Sequence, residues 1–337
     1  MNWNLDDLYK GFKDPKYIKD FKEVEKLVVE FNSLRELIEN DNELNVILKY
    51  IEIEEKLTIL VRTLSSFSSL TNATDVSNQE SLVNMSRLSK ILNDMTATNV
   101  AFSRFLVNVW SQICLAFNNG YDEHLIFEVM NEPRLKGTKY EWWFDGSSPE
   151  CVESAVVLND LNQIALDTIR NSGGNNKKRF VSIPGLRADP GCAMNSTFKM
   201  PKDYEPGRLI LSVHMYTPYN FAGESPGVKE FTKKMGSELA LTFKNLNEKF
   251  IKQGYPVIIG EYGATNKDNL NDRVEWFKFF IKYSRKYGMT SCLWDNGQWD
   301  VSNTTNYAEH FGYYDRLNQT WFFPEILEAI MSEADGE

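Results

Sequence analysis

The first third of this sequence almost lacks the two residues that most often interrupt helices. No glycine lies between Gly11 and Gly120, and Pro15 is the only proline before Pro133. This absence excludes a turn-rich β-structure and predicts long helices. Apolar residues there recur at intervals of three and four, as an amphipathic helix requires; one such set is Leu82, Met85, Leu88, Leu92 and Met95. Runs such as KLVVEF could form strands, but charged residues flank them and no turn residue follows, so helix is favoured.

Other features that the sequence lacks restrict the classes of function it can have. There are only four cysteines and no CxxC pair, so we expect free and mostly buried thiols: Cys114, Cys151, Cys192 and Cys292. No apolar run approaches the length of a membrane span, which predicts no membrane partner. The opening MNWNLDDLYKGF has neither a basic nor an apolar signal region, so no secretory signal is predicted and the compartment stays open. The net charge of −10 would repel phosphates, which predicts no nucleic-acid partner.

From about residue 106 the sequence alternates between apolar strands and amphipathic helices. The predicted strands are LIFEVM, RFVSIP, LILSVHMY, PVIIGEY and MTSCLW, with helices near 150–171, 228–252 and 270–287. This order predicts parallel strands joined by right-handed crossovers. The first run, 125–130, is apolar enough to be enclosed in a core on both faces. Only five strands are visible, whereas a closed (β/α)₈ barrel needs eight.

Polar side chains follow four of these five strands at their carboxyl ends, where barrel enzymes carry their chemistry. The candidates, in chain order, are Asn131, Glu132, His214, Tyr216, Glu261 and Trp294. Two glutamates at different strand ends that face one cavity are what glycoside hydrolysis requires. One carboxyl protonates the leaving oxygen, while the other attacks the anomeric carbon or activates water. The alternative for a single glutamate after a strand is a solvated loop residue.

The motifs LIFEVMNEPR, SVHMYTPYNFAG, VIIGEYGA and CLWDNG resemble those of the endo-β-1,4-glucanases of glycoside hydrolase family 5, over roughly residues 106–330. The resemblance implies an α/β fold of the (β/α)₈ TIM-barrel type, of which only the last five βα units are visible. It implies retaining hydrolysis of cellulose-type β-glucan polysaccharides or oligosaccharides, without a metal or organic cofactor. Glu132 would be the acid/base and Glu261 the nucleophile.

The same resemblance assigns roles to the neighbouring candidates. Asn131 would bond the 2-hydroxyl of the sugar at the cleavage point, and Tyr216 would hydrogen-bond the nucleophile. His214 would line the same subsite, and Trp294 would stack beneath a sugar ring. The segment IPGLRADP departs from the family pattern, in which a tyrosine–alanine pair is expected.

The amino-terminal sequence resembles a different family. WNLDDLYKGFKDPKYIKDFKEVEKLVVEFN and TATNVAFSRFL are similar to the helical region that opens the oligoendopeptidase F family of zinc peptidases, and the likeness ends near 105. The zinc motif HExxH is absent, and the three histidines are His124, His214 and His310, so peptidase chemistry is not expected. We therefore predict a helical segment at 1–105 and a partial-barrel hydrolase domain at 106–337.

An open five-stranded sheet would leave its first and last strands exposed as edges. The helical segment could cover these edges, or residues with a helical pattern could be forced to form the missing strands. Alternatively, two chains could pair their edge strands. We favour the last, a homodimer or domain swap that closes the barrel. The alternative to an active glucanase is a weak or inactive fusion that retains only a sugar-binding groove.

Overall fold

In the computed structural model, which describes residues 5–40 and 44–334, the chain forms two compact units. The helical unit comprises Met1–Phe117, Leu135–Ser154 and Asp167–Ser172. The sheet unit comprises Asn118–Arg134, Ala155–Leu166 and Gly173–Glu337. Within the described ranges, no helix has an apolar stretch long enough to cross a membrane.

The glycine-free region forms three long helices, as its periodicity predicts. They are α1 (Pro15–Asn40), α2 (Leu44–Thr74) and α3 (Gln79–Phe117). Each of the three packs against the other two, and the buried parts of their apolar stripes meet in one core that includes the fully buried Phe31 and Leu57. Of the set named above on α3, Leu88 and Met95 join this core, whereas Leu82, Met85 and Leu92 are exposed. Burial of these stripes, rather than helix propensity, supplies most of the stability of such a bundle.

The turn between α2 and α3 forms without glycine or proline. The Asp75 carboxylate accepts hydrogen bonds from the backbone N–H and the hydroxyl of Ser77, at 3.0 and 2.6 Å. Asn78 then caps α3, since its side-chain oxygen accepts the backbone N–H of Ser81 at 2.9 Å. Side chains that bond their own backbone offer the chain an alternative to the helix. The sequence DVSN therefore ends one helix and begins the next.

The helical unit carries an acidic group whose ionisation opposes folding. Burial, reinforced by the charges of Glu54, Glu52 and Glu141, raises the pKa of Glu55 from 4.5 to about 7. Between these two values the folded chain binds more protons than the unfolded chain, so stability falls as pH rises through this range. We expect Glu55→Gln to raise the apparent Tm by about 2 °C above pH 7 and to leave it unchanged below pH 4.5.

Thermal unfolding followed by circular dichroism across this pH range tests that expectation. The matched control is Glu23→Gln, because Glu23 is an exposed glutamate of the same unit and is not among the groups that shift the pKa of Glu55. A stabilisation by Glu55→Gln that does not depend on pH would contradict the explanation.

The sheet unit contains five parallel strands whose spatial order equals their order in the chain, as predicted. The strands are β1 (Phe127–Glu128), β2 (Val181–Pro184), β3 (Leu209–Met215), β4 (Val257–Tyr262) and β5 (Thr290–Leu293). The connecting helices are α4 (Pro149–Asn171), α5 (Pro190–Met194), α6 (Tyr219–Ala222), α7 (Lys233–Lys249) and α8 (Leu270–Lys286). Short 3₁₀ helices lie at Gly174–Lys177, Leu186–Ala188 and Ile251–Gln253. After β5 come a hairpin, β6 (Tyr314–Asp315) and β7 (Thr320–Trp321), and the helix α9 (Pro324–Ala334).

The prediction that the strand at 125–130 is enclosed on both faces is wrong. Phe127 and Val129 are buried, but Ile126 is 41% exposed and Glu128 is exposed as well. The physical reason is the position of β1 at one edge of the sheet, where only β2 pairs with it. Its apolar residues therefore pack on one face, while Glu128 projects from the other.

The four cysteines are free, as predicted, and three of them are buried. The exception is Cys292, which is exposed because it lies on the other edge strand, β5.

Candidate active site

A register shift between β3 and β4 brings a histidine beside a glutamate. Val213 pairs with Ile259, but the next residue, His214, pairs with Glu261, so that Gly260 is passed over. A side chain on Gly260 would not fit easily, because a Cβ there would lie 3.3 Å from Nε2 of His214. The lack of a side chain at Gly260 therefore leaves room for the imidazole of His214. Bulges of this kind commonly re-aim side chains next to functional sites.

The imidazole of His214 lies between two carboxylates from different strand ends. Its Nδ1 is 2.7 Å from Oε1 of Glu132 and 3.4 Å from Oε2 of Glu261. One ring nitrogen of His214 and one oxygen of each carboxylate all lie within 4.8 Å of one another. Only 3% of the His214 side chain is exposed, against 19% for Glu132 and 15% for Glu261. The structure thus brings three of the predicted residues into one half-buried cluster.

Each carboxylate also contacts a second group. The hydroxyl of Tyr216 donates to Oε2 of Glu261 at 2.9 Å. The guanidinium of Arg134 lies 3.9 Å from Oε2 of Glu132. It also donates a hydrogen bond to the backbone carbonyl of Glu132 at 3.3 Å. These contacts fix the directions in which the two carboxylates present their remaining oxygens.

The loop that carries Glu132 is held by a strained turn that follows β2. The backbone N–H of Arg187 donates to the carbonyl of Pro133 at 2.7 Å. Arg187 and its neighbour Ala188 both have left-handed backbone, with φ of 58° and 49°. This conformation costs free energy for a residue other than glycine, because the side chain clashes with the backbone. Strained residues of this kind concentrate at functional sites. The turn occupies the segment IPGLRADP.

Burial raises the pKa of Glu261 above its ordinary value. His214 and the hydrogen bond from Tyr216 act in the opposite direction, whereas the charges of Glu132 and Glu128 raise the pKa further. The pKa of Tyr216 is also raised, chiefly by burial and then by the charge of Glu261, so the phenol keeps its proton and remains a donor.

Sequence reasoning missed a third carboxylate beneath this pair. The hydroxyl of Ser212 donates to Oε1 of Glu128 at 2.5 Å, and Ser212 lies two residues before His214 on β3. The period of two along a strand therefore places Ser212 and His214 on one face of the sheet. A charged residue within an otherwise apolar strand was the available signal for Glu128.

The two remaining candidates lie beside the cluster rather than within it. Asn131 is exposed and directly precedes Glu132. Trp294 follows β5, its backbone N–H donates to the carbonyl of Tyr262 at 3.0 Å, and its side chain is 41% exposed. In the described part of the chain, neither of these residues forms a hydrogen bond with Glu132 or Glu261.

Comparison with known proteins shows the family of the chain. The chain matches the family model described as cellulase, glycosyl hydrolase family 5, over residues 63–300, so the match begins within α2. Endoglucanase B of Ruminococcus albus is 37% identical over 229 residues, which cover 68% of this chain and 52% of that protein. The chain thus spans about half the length of the curated relatives it matches.

Two solved structures extend the comparison to the fold. A mutant family 5 lichenase from Caldicellulosiruptor sp. F32 in complex with cellotetraose has a TM-score of 0.65 and 33% identity, covering 76% of this chain and 75% of that one. A GH5-4 broad-specificity endoglucanase from Ruminococcus champanellensis with bound cellotriose has a TM-score of 0.63 and 34% identity, covering 73% and 74%. The five parallel strands and their helices therefore form a partial (β/α)₈ fold.

Proposed function

The chain belongs to the cellulase family of glycosyl hydrolases, family 5, and from this premise we propose that it hydrolyses β-1,4-linked glucans with retention of anomeric configuration. The observation that carries the proposal is the pair Glu132 and Glu261: one oxygen of each carboxylate lies within 4.8 Å of the other and of a ring nitrogen of His214. Retaining enzymes hold their carboxyl groups about 5–5.5 Å apart, whereas inverting enzymes need roughly 6.5–9.5 Å to admit a water molecule.

In the proposed mechanism the ionised Glu261 attacks the anomeric carbon while Glu132 donates a proton to the leaving oxygen. This step forms a glycosyl ester and releases the first product. Glu132 then removes a proton from water, whose oxygen displaces Glu261 and restores the free enzyme. The Tyr216 hydroxyl, at 2.9 Å, holds Glu261 in its attacking orientation.

Substrate contacts are proposed for the residues around the carboxylates. His214, between the two acids, would line the subsite at the cleavage point, and the exposed amide of Asn131 would bond the 2-hydroxyl of that sugar. The half-exposed indole of Trp294 offers an apolar face on which a glucose ring could stack. Cellotetraose and cellotriose, which the two solved relatives bind, are the corresponding oligosaccharides.

Release of reducing ends from carboxymethyl cellulose, lichenan, xylan and mannan tests the proposal. We expect hydrolysis of the β-glucans, carboxymethyl cellulose and lichenan, to exceed that of mannan. Wild-type protein that is no more active than Glu261→Gln on all four polymers would refute it.

A second candidate, a sugar-binding protein without catalysis, is favoured by one observation: the parallel sheet of the described residues has five strands, whereas a closed barrel has eight. Calorimetric binding of cellotetraose without any product formation would support this candidate. The closure of the barrel by a homodimer or domain swap, the peptidase-like origin of 1–105 and the domain boundary near 106 stay predictions.

Glu128 supplies a further prediction for the pH dependence of the proposed reaction. The nucleophile must be ionised, so activity falls as pH drops through the pKa of Glu261, which the charge of Glu128 raises. The Glu128→Gln variant keeps the hydrogen bond to Ser212 but lacks this charge, so the acidic limb of kcat/KM should move to lower pH. Burial remains the larger cause of the raised pKa, so we expect the shift to be small.

The measurement is kcat/KM on a soluble β-glucan across the acidic range. The matched control is Glu123→Gln, an exposed glutamate that precedes β1. An acidic limb that moves to higher pH, or stays in place, would contradict the electrostatic role of Glu128.

A further inference from the structure

The cluster between the strand ends has the composition of a metal site. Its donors are one imidazole nitrogen and two carboxylate oxygens, which is a mixed nitrogen and oxygen set rather than a group of acids alone. Borderline cations such as Zn²⁺ prefer this combination, whereas Mg²⁺ and Ca²⁺ take oxygen ligands. Two ionised carboxylates and a neutral imidazole would also balance the charge of a divalent cation.

The spacing of the donors fits such an ion. Zinc binds nitrogen and oxygen at about 2.0–2.2 Å, so two of its tetrahedral ligands lie about 3.3 Å apart. Nδ1 of His214 is 2.7 Å from Glu132 and 3.4 Å from Glu261, and all three donor atoms lie within 4.8 Å. Side-chain movements of about 0.6 Å between Nδ1 of His214 and Glu132, and of up to about 1.5 Å between the most distant pair of donors, would place all of them around one ion.

The surrounding groups already orient these donors. Arg134 lies beside Oε2 of Glu132, which leaves Oε1 directed at His214. The Tyr216 hydroxyl donates to Oε2 of Glu261, the same oxygen that lies 3.4 Å from Nδ1 of His214, and so holds this oxygen beside the imidazole. Such outer contacts fix ligand orientation in metal sites and are worth about 10–100-fold in affinity.

We propose that Glu132, His214 and Glu261 form a zinc-binding site and that Zn²⁺ bound there excludes the glucan from the same carboxylates. The inhibitory part of this inference rests on the proposed function, because the ion and the scissile bond would compete for one space. Zinc should therefore raise KM for a soluble β-glucan without lowering kcat, and a chelator should reverse the effect.

Isothermal titration calorimetry with Zn²⁺ and, separately, Mg²⁺ tests the site independently of activity. We expect one Zn²⁺ per wild-type chain, no binding of Mg²⁺, and a loss of at least about tenfold in zinc affinity in His214→Asn. Two controls should retain the site. They are His124→Asn, which removes an exposed imidazole 2.9 Å from the Asp122 carboxylate, and Cys292→Ser, which removes the exposed thiol.

Unchanged zinc affinity in His214→Asn, or its loss in either control, would overturn the inference. If His214→Asn does not fold, competition decides: cellotetraose should weaken zinc binding to the wild type, and independent binding would overturn the inference. If the protein hydrolyses glucan but binds no zinc at these residues, the zinc site is refuted and the proposed function is not. If the protein binds zinc at these residues but hydrolyses no glucan after the zinc is removed, the proposed function is refuted and the zinc site is not.

Discussion

Replacing Glu261 with glutamine is expected to lower kcat/KM for glucan hydrolysis by about four to six orders of magnitude. The amide keeps the shape of the carboxylate and can still accept the hydrogen bond from Tyr216, which lies 2.9 Å away. It cannot, however, form the glycosyl ester on which the proposed double displacement depends. Hydrolysis of lichenan by the purified variant, with product detection sensitive enough to cover this range, measures the loss.

The shorter variant Glu261→Gly makes the test specific for a nucleophile. Azide should enter the vacated space, attack from the same side and yield an α-glycosyl azide from an activated β-cellobioside. The matched control is Glu275→Gln, because Glu275 lies on α8 and is exposed. Full activity in Glu261→Gln, or the recovery of a β-glycosyl azide from Glu261→Gly, would assign the nucleophile to another residue.

Replacing Glu132 with alanine should lower hydrolysis of unactivated glucan by about 10²–10⁴-fold, because no group remains to protonate the leaving oxygen. The loss should depend on the leaving group. A dinitrophenyl cellobioside needs no protonation, so its first step should proceed nearly as in the wild type and the glycosyl-enzyme should accumulate as a burst. Azide should then accelerate turnover and yield the β-glycosyl azide.

This pattern separates an acid/base from a residue that only maintains the fold, because misfolding would slow both substrates equally. Glu123→Ala serves as the control, since this exposed glutamate lies on the segment that precedes β1. Equal losses on lichenan and on the activated substrate would contradict the acid/base role of Glu132.

Much of the fold could be predicted because its signals are local. The absence of glycine between Gly11 and Gly120, together with apolar spacing of three and four, predicted the helices that became α1, α2 and α3. The alternation after residue 106 predicted five parallel strands in sequential order. Turn chemistry was harder to recognise, since Asp75 and Asn78 end and begin helices through hydrogen bonds to their own backbone.

The two glutamates could also be predicted, because each directly follows an apolar strand and parallel strands present their carboxyl ends at one edge. The imidazole between them depends on a register shift at Val213 and His214, and strand pairing is a contact between distant parts of the chain. The exposure of Glu128 likewise follows from the position of β1 at the edge of the sheet. The apolar sequence around Glu128 does not reveal that position.

The sequence by itself determined which segments are helices and strands and which carboxylates follow the strands, because periodicity and residue type are properties of neighbouring residues. Only the tertiary structure decided that His214 Nδ1 lies within reach of both Glu132 and Glu261, and that Ser212 bonds Glu128 beneath them. Those distances arise from the bulge, from the lack of a side chain at Gly260 and from the pairing of β3 with β4. Each of these is fixed by packing between residues far apart in the chain.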